Sequence, residues 1–399
     1  MAAASNNDRI IKYQTQIYCI SVGAIVLKAL LSFSDLLQGV PGIVHSVLGA
    51  VFIAGLLYKI MVYQTYNKTN LIIIAVWGMA CMITYSKAHY YYLICSYLCI
   101  IAAWNVDFKQ VTKMLYKMKA LYLSVHILFY FIAYYTNREM INFSYRAGDR
   151  SRPRHYFFVS HANTFTMLLT WTTLEYLYSE YERLSYKKIA AVWFVNVFFY
   201  LFTDSNTGIL VSTITALCLV GIKAKNRIGE KFVNWGAKYL FLLFSILFPA
   251  MMVVFPKLTG AARELWLAVN DMFTGRLLYG ACAYDMAGWT LFGKVMELSG
   301  KIYWQGFWFD GMGCDNTYVW MFVCYGYIQL LIIAAALMIL SKKASAQDKI
   351  FIIAYAIYGV MEAYIINATF CFPLMLIGKY LFLAERAKFG KRHLSNCGE

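Results

Sequence analysis

The chain has 399 residues, 61% of them hydrophobic and only 14% charged; a soluble domain carries nearer a quarter charged residues, so the apolar excess faces lipid and no large soluble domain fits. The 36 Lys and Arg against 20 Asp and Glu give a net charge of +16, an excess that in a membrane protein marks cytoplasmic loops rather than a nucleic-acid partner.

Apolar runs follow at about 16–33, 43–63, 71–85, 90–104, 120–136, 162–178, 189–203, 208–222, 239–255, 316–340, 349–370 and 371–385. Each reads as a helix, which predicts an all-α, polytopic membrane protein of about 12 transmembrane helices, a single integral membrane domain over 1–399. The shorter runs within 71–104 and 189–222 are expected to tilt, re-enter the bilayer or extend into polar flanks. Met1 to Asn7 is too polar for a signal peptide, which leaves the first span as the membrane address. Cys19, Cys81, Cys95, Cys99, Cys218 and Cys324 lie within the runs, where thiols act as small hydrophobes, and no disulfide framework follows.

An even number of spans places most Lys and Arg on the side of the two ends, and cations accumulate on the cytoplasmic side, so both termini are expected there. On that side Phe108, Val111, Leu115 and Met118 share one helical face and Lys109, Lys113 and Lys117 another. Ile228, Phe232 and Trp235 with Lys231 and Lys238 repeat the pattern, and both stretches read as interfacial helices on anionic lipid. Two outer segments break the charge rule. Arg138, Arg146, Arg150, Arg152 and Arg154 fall in a basic loop over 137–161, and Lys257, Arg263, Arg276, Lys294 and Lys301 in a large loop over 256–315. Cations placed against the topology signal point to an anion-binding site or to loop solvation with headgroup contact.

The 256–315 loop is too long for a connector and is expected to carry short helices. Ala262, Leu265, Val269, Met272 and Arg276 recur at three- and four-residue steps, predicting one helix with Arg276 on its inward, apolar face; a second periodic stretch runs from Leu277 to about Gly288. Glycines at 288, 293, 300, 306, 311 and 313 then break the backbone. Trp289, Tyr303, Trp304, Phe307 and Trp308 offer either a sugar-stacking lining or an interfacial belt. Cys282 and Cys314 share the loop, which permits a bridge.

No His, Cys or carboxylate cluster has metal-ligand spacing, Asp310 and Asp315 being the nearest pair, so neither metal nor cofactor is expected. The loop Ser34 to Gly42 has only Asp35, and a nucleoside triphosphate loop is absent. Arginine remains. Guanidinium groups bind phosphate in bidentate fashion, each charge-assisted contact contributing about 1.5–3 kcal/mol. Several together would hold a lipid diphosphate and stabilise it as a leaving group. Within the spans, Glu362 and Lys379 lie at matching depth, each about 12 Å from the turn near residue 370, and are expected to form an ion pair or a proton path.

The stretch Arg152-Pro-Arg-His-Tyr-Phe-Phe-Val-Ser-His161-Ala-Asn163 resembles the basic loop leading into a His-x-Asn helix start in bacterial O-antigen and capsule polymerases of the Wzy type. Thr203-Asp-Ser-Asn-Thr207 looks like the short outer turn those proteins place between two later helices. Phe273-Thr-Gly-Arg276, Leu291-Phe-Gly293, then Asp315-Asn316-Thr-Tyr318 before a helix bearing Tyr325-Gly326, is similar to the large outer loop and following span of that family and of the related O-antigen ligases. The ordered set covers 137–340. It departs at Asn206, where the family often has Arg, and at Asp315, where the ligases often have His.

The resemblance implies a glycosyltransferase, a metal-independent polysaccharide polymerase in a bacterial plasma membrane. It would transfer a glycan from an undecaprenyl-diphosphate-linked oligosaccharide to a sugar hydroxyl on a second lipid-linked repeat unit at the outer face. Membrane lipid and a chain-length regulator are further candidate partners; nucleic acid is not. Arg276 with one or two of Arg146, Arg152 and Arg154 would grip the diphosphate, a structural salt bridge being the other role for Arg276. His161 and Asp315 are candidates for taking the acceptor proton, with helix capping as the alternative for each. Asn163, Trp304, Trp308 and Asn316 complete the expected substrate-binding set. A flippase of lipid-linked oligosaccharide and an O-antigen-type ligase stay open; nearly charge-free spans and the long outer loop favour the enzyme over the flippase.

Overall fold

The computed structural model describes residues 2–146, 149–296, 300–310 and 315–381. The chain runs through α1 (Ala2–Phe33), α2 (Gly42–Tyr63), α3 (Lys68–Ala88), α4 (Tyr92–Ala102) and α5 (Phe108–Thr136). An antiparallel hairpin, β1 (Phe143–Arg146) and β2 (Asp149–His155), precedes α6 (Ala162–Ser179), α7 (Tyr186–Thr203), α8 (Asn206–Lys223), α9 (Arg227–Val254), α10 (Gly260–Met272) and α11 (Arg276–Ala287). A second hairpin, β3 (Lys301–Trp304) and β4 (Phe307–Asp310), leads to α12 (Thr317–Trp320), α13 (Tyr327–Ser341), α14 (Ala346–Met361) and α15 (Leu376–Leu381).

This is a helical membrane protein. Among the described residues, Arg9–Phe33, Gly42–Tyr63, Lys68–Ala88, Phe108–Thr136, Asn206–Lys223 and Arg227–Lys257 are long and apolar enough to cross a bilayer, and Tyr92–Ala102, Tyr327–Ser341 and Phe372–Leu381 are shorter apolar helices. Large apolar side chains such as Ile72, Leu121, Leu128 and Leu217 stand exposed on these helices, as they do where hydrocarbon rather than a protein core receives them.

Two compact units divide the chain, Met1–Thr65 with Leu98–Glu230 and Tyr66–Tyr97 with Lys231–Glu399. In the first, α1 and α2 approach so closely that a Cβ on Gly55 would stand 2.1 Å from Ser21 Oγ, the small-residue contact by which helices associate in lipid. Lys119 of α5 and Glu175 of α6, both fully buried, pair at 2.5 Å. The stretch 107–119 is not a separate interfacial helix: it opens α5, capped by the Asp107 side chain accepting from Lys109 N. Phe108, Val111 and Leu115 are buried in protein while Lys109, Lys113 and Lys117 stay exposed, so tertiary packing takes the apolar face expected to lie on lipid. Likewise 227–238 is the opening of α9, with Ile228, Phe232 and Trp235 exposed.

In the second unit the run 316–340 is interrupted. A π-helical turn over Met321–Tyr325 follows α12, and the chain resets at Gly326, φ 95°, before α13. Freed backbone groups at membrane depth need partners from protein, and the segment around Leu291-Phe-Gly293 supplies them. Lys294 N donates to Cys324 O, Tyr327 N to Thr290 O and Ile328 N to Leu291 O. Any Cβ on Gly326 would lie 2.4 Å from Leu291 O. Gly326→Ala is therefore expected to cost about 2–5 kcal/mol through strain and overpacking, read as a lowered melting temperature in detergent; an unchanged melt would contradict this packing.

The run 349–370 is interrupted too. α14 stops at Met361, and Glu362 turns to extended backbone, φ −144° and ψ 142°. The 3-10 turn Ala363–Ile366 and the irregular stretch after it are held by side chains: Tyr355 OH donates to Ile365 O, Ser96 Oγ to Ile366 O, and Ala368 N to Ser96 Oγ. A 3-10 turn, Phe372–Met375, leads to α15, where a full helix over 371–385 was expected; from 382 onward that expectation lies outside the described residues. The expected Glu362–Lys379 pair does not form, because the break at Glu362 removes the helical rise that equalised their depths. Lys379 instead pairs with Asp348 at 2.7 Å. Cys314 lies outside the described residues, so the Cys282 bridge does as well.

Candidate functional site

Arg276 does not continue the helix of Ala262 and Met272. α10 ends at Met272, Thr274 and Gly275 take φ of 53° and 83°, and Arg276 opens α11. Asn270 fixes the corner: its backbone oxygen accepts from Phe273 N and Gly275 N, and its Oδ1 accepts from Leu278 N at 2.8 Å. The guanidinium still turns inward, being 13% exposed, but it does so from a helix start, where the positive end of the helix dipole adds to its charge and favours anions.

Three side chains gather on this cation. One terminal nitrogen donates to Thr274 Oγ1. The other is ion-paired at 3.5 Å to Glu362 Oε1 and at 3.7 Å to Asp315 Oδ2, longer than a direct hydrogen bond, while Nε is buried with no hydrogen-bond partner among the described residues. Glu362 is 2% exposed and Asp315 47% exposed, so one carboxylate is enclosed and the other stands open. Asn316, expected to bind substrate, is instead fully buried as the cap of α12. Its Oδ1 accepts from Tyr318 N and Val319 N, and its Nδ2 donates to Val360 O at 2.9 Å. Thr317 Oγ1 donates to Glu362 O at 2.5 Å, which ties the start of α12 to the end of α14 beside Arg276.

The aromatic stretch forms a hairpin that turns on Gln305 and Gly306, both with positive φ, 48° and 92°, as two-residue primed turns require. Trp304 faces the protein: its Nε1 donates to Asp285 Oδ2 at 2.7 Å and its ring lies 5.7 Å from Phe255. Arg263 holds the turn by donating to Gln305 O at 3.0 Å. On the other face, Tyr303 and Trp308 stand with ring centroids 5.0 Å apart, 62% and 71% exposed. Trp304 is thus an anchor, and Tyr303 with Trp308 forms an open aromatic face.

In the first unit, Arg146 ends β1 and its side chain lies outside the described residues. Arg152 is exposed. Arg154 reaches the end of α7, its Nε donating to Thr203 O at 2.9 Å and a terminal nitrogen to Asn163 Oδ1 at 2.5 Å, so it satisfies a helix-end carbonyl that lacks an intrahelical partner. His161 caps α6, its Nδ1 accepting from Asn163 N at 3.1 Å; that bond assigns the proton of the neutral ring to Nε2. Burial and then Arg154 push the His161 pKa below its ordinary value, and burial lowers His155 as well.

A histidine lowered in the folded state binds its proton more readily when unfolded. Its stabilising contribution is complete above the unfolded value near 6.5 and is lost as pH falls through the folded one. Melting temperature is expected to fall between pH 7.5 and 5, with a shallower slope in His161→Asn, which keeps a capping oxygen. An identical slope would remove His161 from this account.

The expected residues thus fall in two groups: Arg152, Arg154, His161 and Asn163 in the first unit, Arg276, Trp304, Trp308, Asp315 and Asn316 in the second. Glu362 and Thr274 join Arg276 without having been expected there. An acidic residue inside an apolar run was a signal for Glu362, but nothing in the sequence named its partner. Comparison with family models, with curated proteins and with solved structures gives no match to this chain.

Proposed function

We propose that the chain is a polysaccharide polymerase, a metal-independent glycosyltransferase joining undecaprenyl-diphosphate-linked repeat units at the outer face of a bacterial plasma membrane. In this proposal the chain crosses about 12 times with both termini cytoplasmic, and 137–161 and 256–315 are outer loops. The observation that carries it is Arg276, a nearly buried guanidinium at a helix start whose Nε has no hydrogen-bond partner among the described residues and whose two ion-paired carboxylates lie 3.5 and 3.7 Å away, longer than a direct hydrogen bond. Such a group retains donors for a phosphate oxygen.

The acceptor hydroxyl attacks the anomeric carbon of the donor sugar, the bond from that carbon to the diphosphate oxygen breaks, and the diphosphate leaves with the electron pair. Arg276 and the start of α11 neutralise the developing charge. Asp315 takes the hydroxyl proton, Glu362 keeps the guanidinium in place, and Tyr303 with Trp308 offers a stacking surface to the glycan. The test is incubation of the purified protein with lipid-linked repeat units in EDTA. A ladder of longer lipid-linked products is expected. Translocation without elongation would mean a flippase, and one-step transfer of a finished polymer to a different acceptor would mean a ligase.

A further inference from the structure

Within the second unit, α3, α13 and α15 line a half-open groove of about 470 Å³, inside the range of ligand sites. Its walls are apolar, with Ile72 and Val76 from α3, Ala335, Ala336 and Ile339 from α13 and Ile377 from α15. The alanines leave the space that larger residues would fill. Ile332 to Lys343, both lining the hollow, gives it a length of about 16 Å along α13 at 1.5 Å per residue. It is a slot shaped for a chain.

One end is polar. Lys343 and Tyr380 line it, Lys342 stands next to Lys343, and both lysines are exposed. The nearby acid does not cancel them, because Asp348 is already engaged by Lys379 at 2.7 Å and by the Tyr380 hydroxyl. Among the described residues neither Lys342 nor Lys343 forms an ion pair. Lys68 opens α3, whose first turn leads to Ile72, and the start of a helix adds positive potential. An apolar slot bordered at one end by ammonium groups that no described acid pairs with recognises an acyl chain bearing an anionic headgroup.

We infer that this groove binds one anionic phospholipid, an acyl chain lying along α13 and the headgroup phosphate meeting Lys343. The inference needs only that the chain sits in a membrane and is independent of its catalytic activity. Trp77 lines the hollow and serves as reporter: the full chain is placed in phosphatidylcholine vesicles, brominated phosphatidylglycerol or brominated phosphatidylcholine is titrated in, and the part of the fluorescence quenching lost in Trp77→Phe is followed. Phosphatidylglycerol is expected to quench with about fivefold higher apparent affinity, the value of one lysine at an anionic surface. Lys343→Ala should remove that preference, and Ala336→Phe, which fills the slot without touching the charge, should weaken both lipids. Equal quenching by the two lipids, a preference retained in Lys343→Ala, or displacement of bound phosphatidylglycerol by equimolar polyprenyl phosphate would each overturn the assignment, the last by giving the groove to an isoprenoid.

Discussion

Replacing Arg276 with Gln is expected to reduce elongation of lipid-linked repeat units by about 10²–10³-fold, the loss typical when one preorganised stabiliser of a departing charge is removed. The same change has a second consequence, because Glu362 is 2% exposed and its Oε1 lies 3.5 Å from the guanidinium. Without Arg276 that buried carboxylate loses its neighbouring guanidinium, at a cost of about 3–5 kcal/mol. Activity and heat stability should therefore fall together, and the single variant cannot separate catalysis from folding. The double variant Arg276→Gln with Glu362→Gln does so. It should regain most of the lost melting temperature while remaining inactive, since neutralising the buried acid repairs the fold without restoring a diphosphate ligand. A double variant that polymerises would reduce Arg276 to a structural ion pair.

The second large effect is purely structural. Lys119 and Glu175 are both fully buried and pair at 2.5 Å, and Glu175 Oε2 has no hydrogen-bond partner among the described residues. Burying two charges costs nearly what their attraction returns, so the pair itself adds little net stability, but breaking it strands one charge. Lys119→Met should destabilise the first unit by about 3–5 kcal/mol, whereas Lys119→Met with Glu175→Gln should fall within about 1 kcal/mol of the parent. Detergent melting of the three proteins checks this. A single variant as stable as the parent would contradict this account of the pair.

How much of this was readable from the sequence depends on whether the signal is local. The helices were, because each apolar run carries its own evidence of burial or lipid exposure. The breaks at Tyr325-Gly326 and at Glu362 were not, because their cause lies elsewhere in the chain. Thr290, Leu291 and Lys294 supply the partners that make an interrupted helix tolerable, and only the folded backbone brings them to Cys324 and Tyr327. Periodicity turned Arg276 inward correctly for the wrong reason, since the corner at Thr274-Gly275, not a continuous α10, sets its direction. The β3–β4 hairpin was readable and missed: Gln305-Gly306 sits between alternating runs, the local mark of a primed turn. At the site, an inward-turned arginine was legible, while its coupling to Glu362 was hidden because an acid's preferred partner is decided by where its helix ends.

Grip on a diphosphate is the claim from which the rest follows, and it is tested most directly without turnover. The purified full chain and its Arg276→Gln, Glu362→Gln double variant are titrated with undecaprenyl diphosphate in EDTA by isothermal calorimetry. The parent is expected to bind at least about tenfold more tightly than the variant, the value of one charge-assisted contact. Equal affinity in the two proteins would contradict the account.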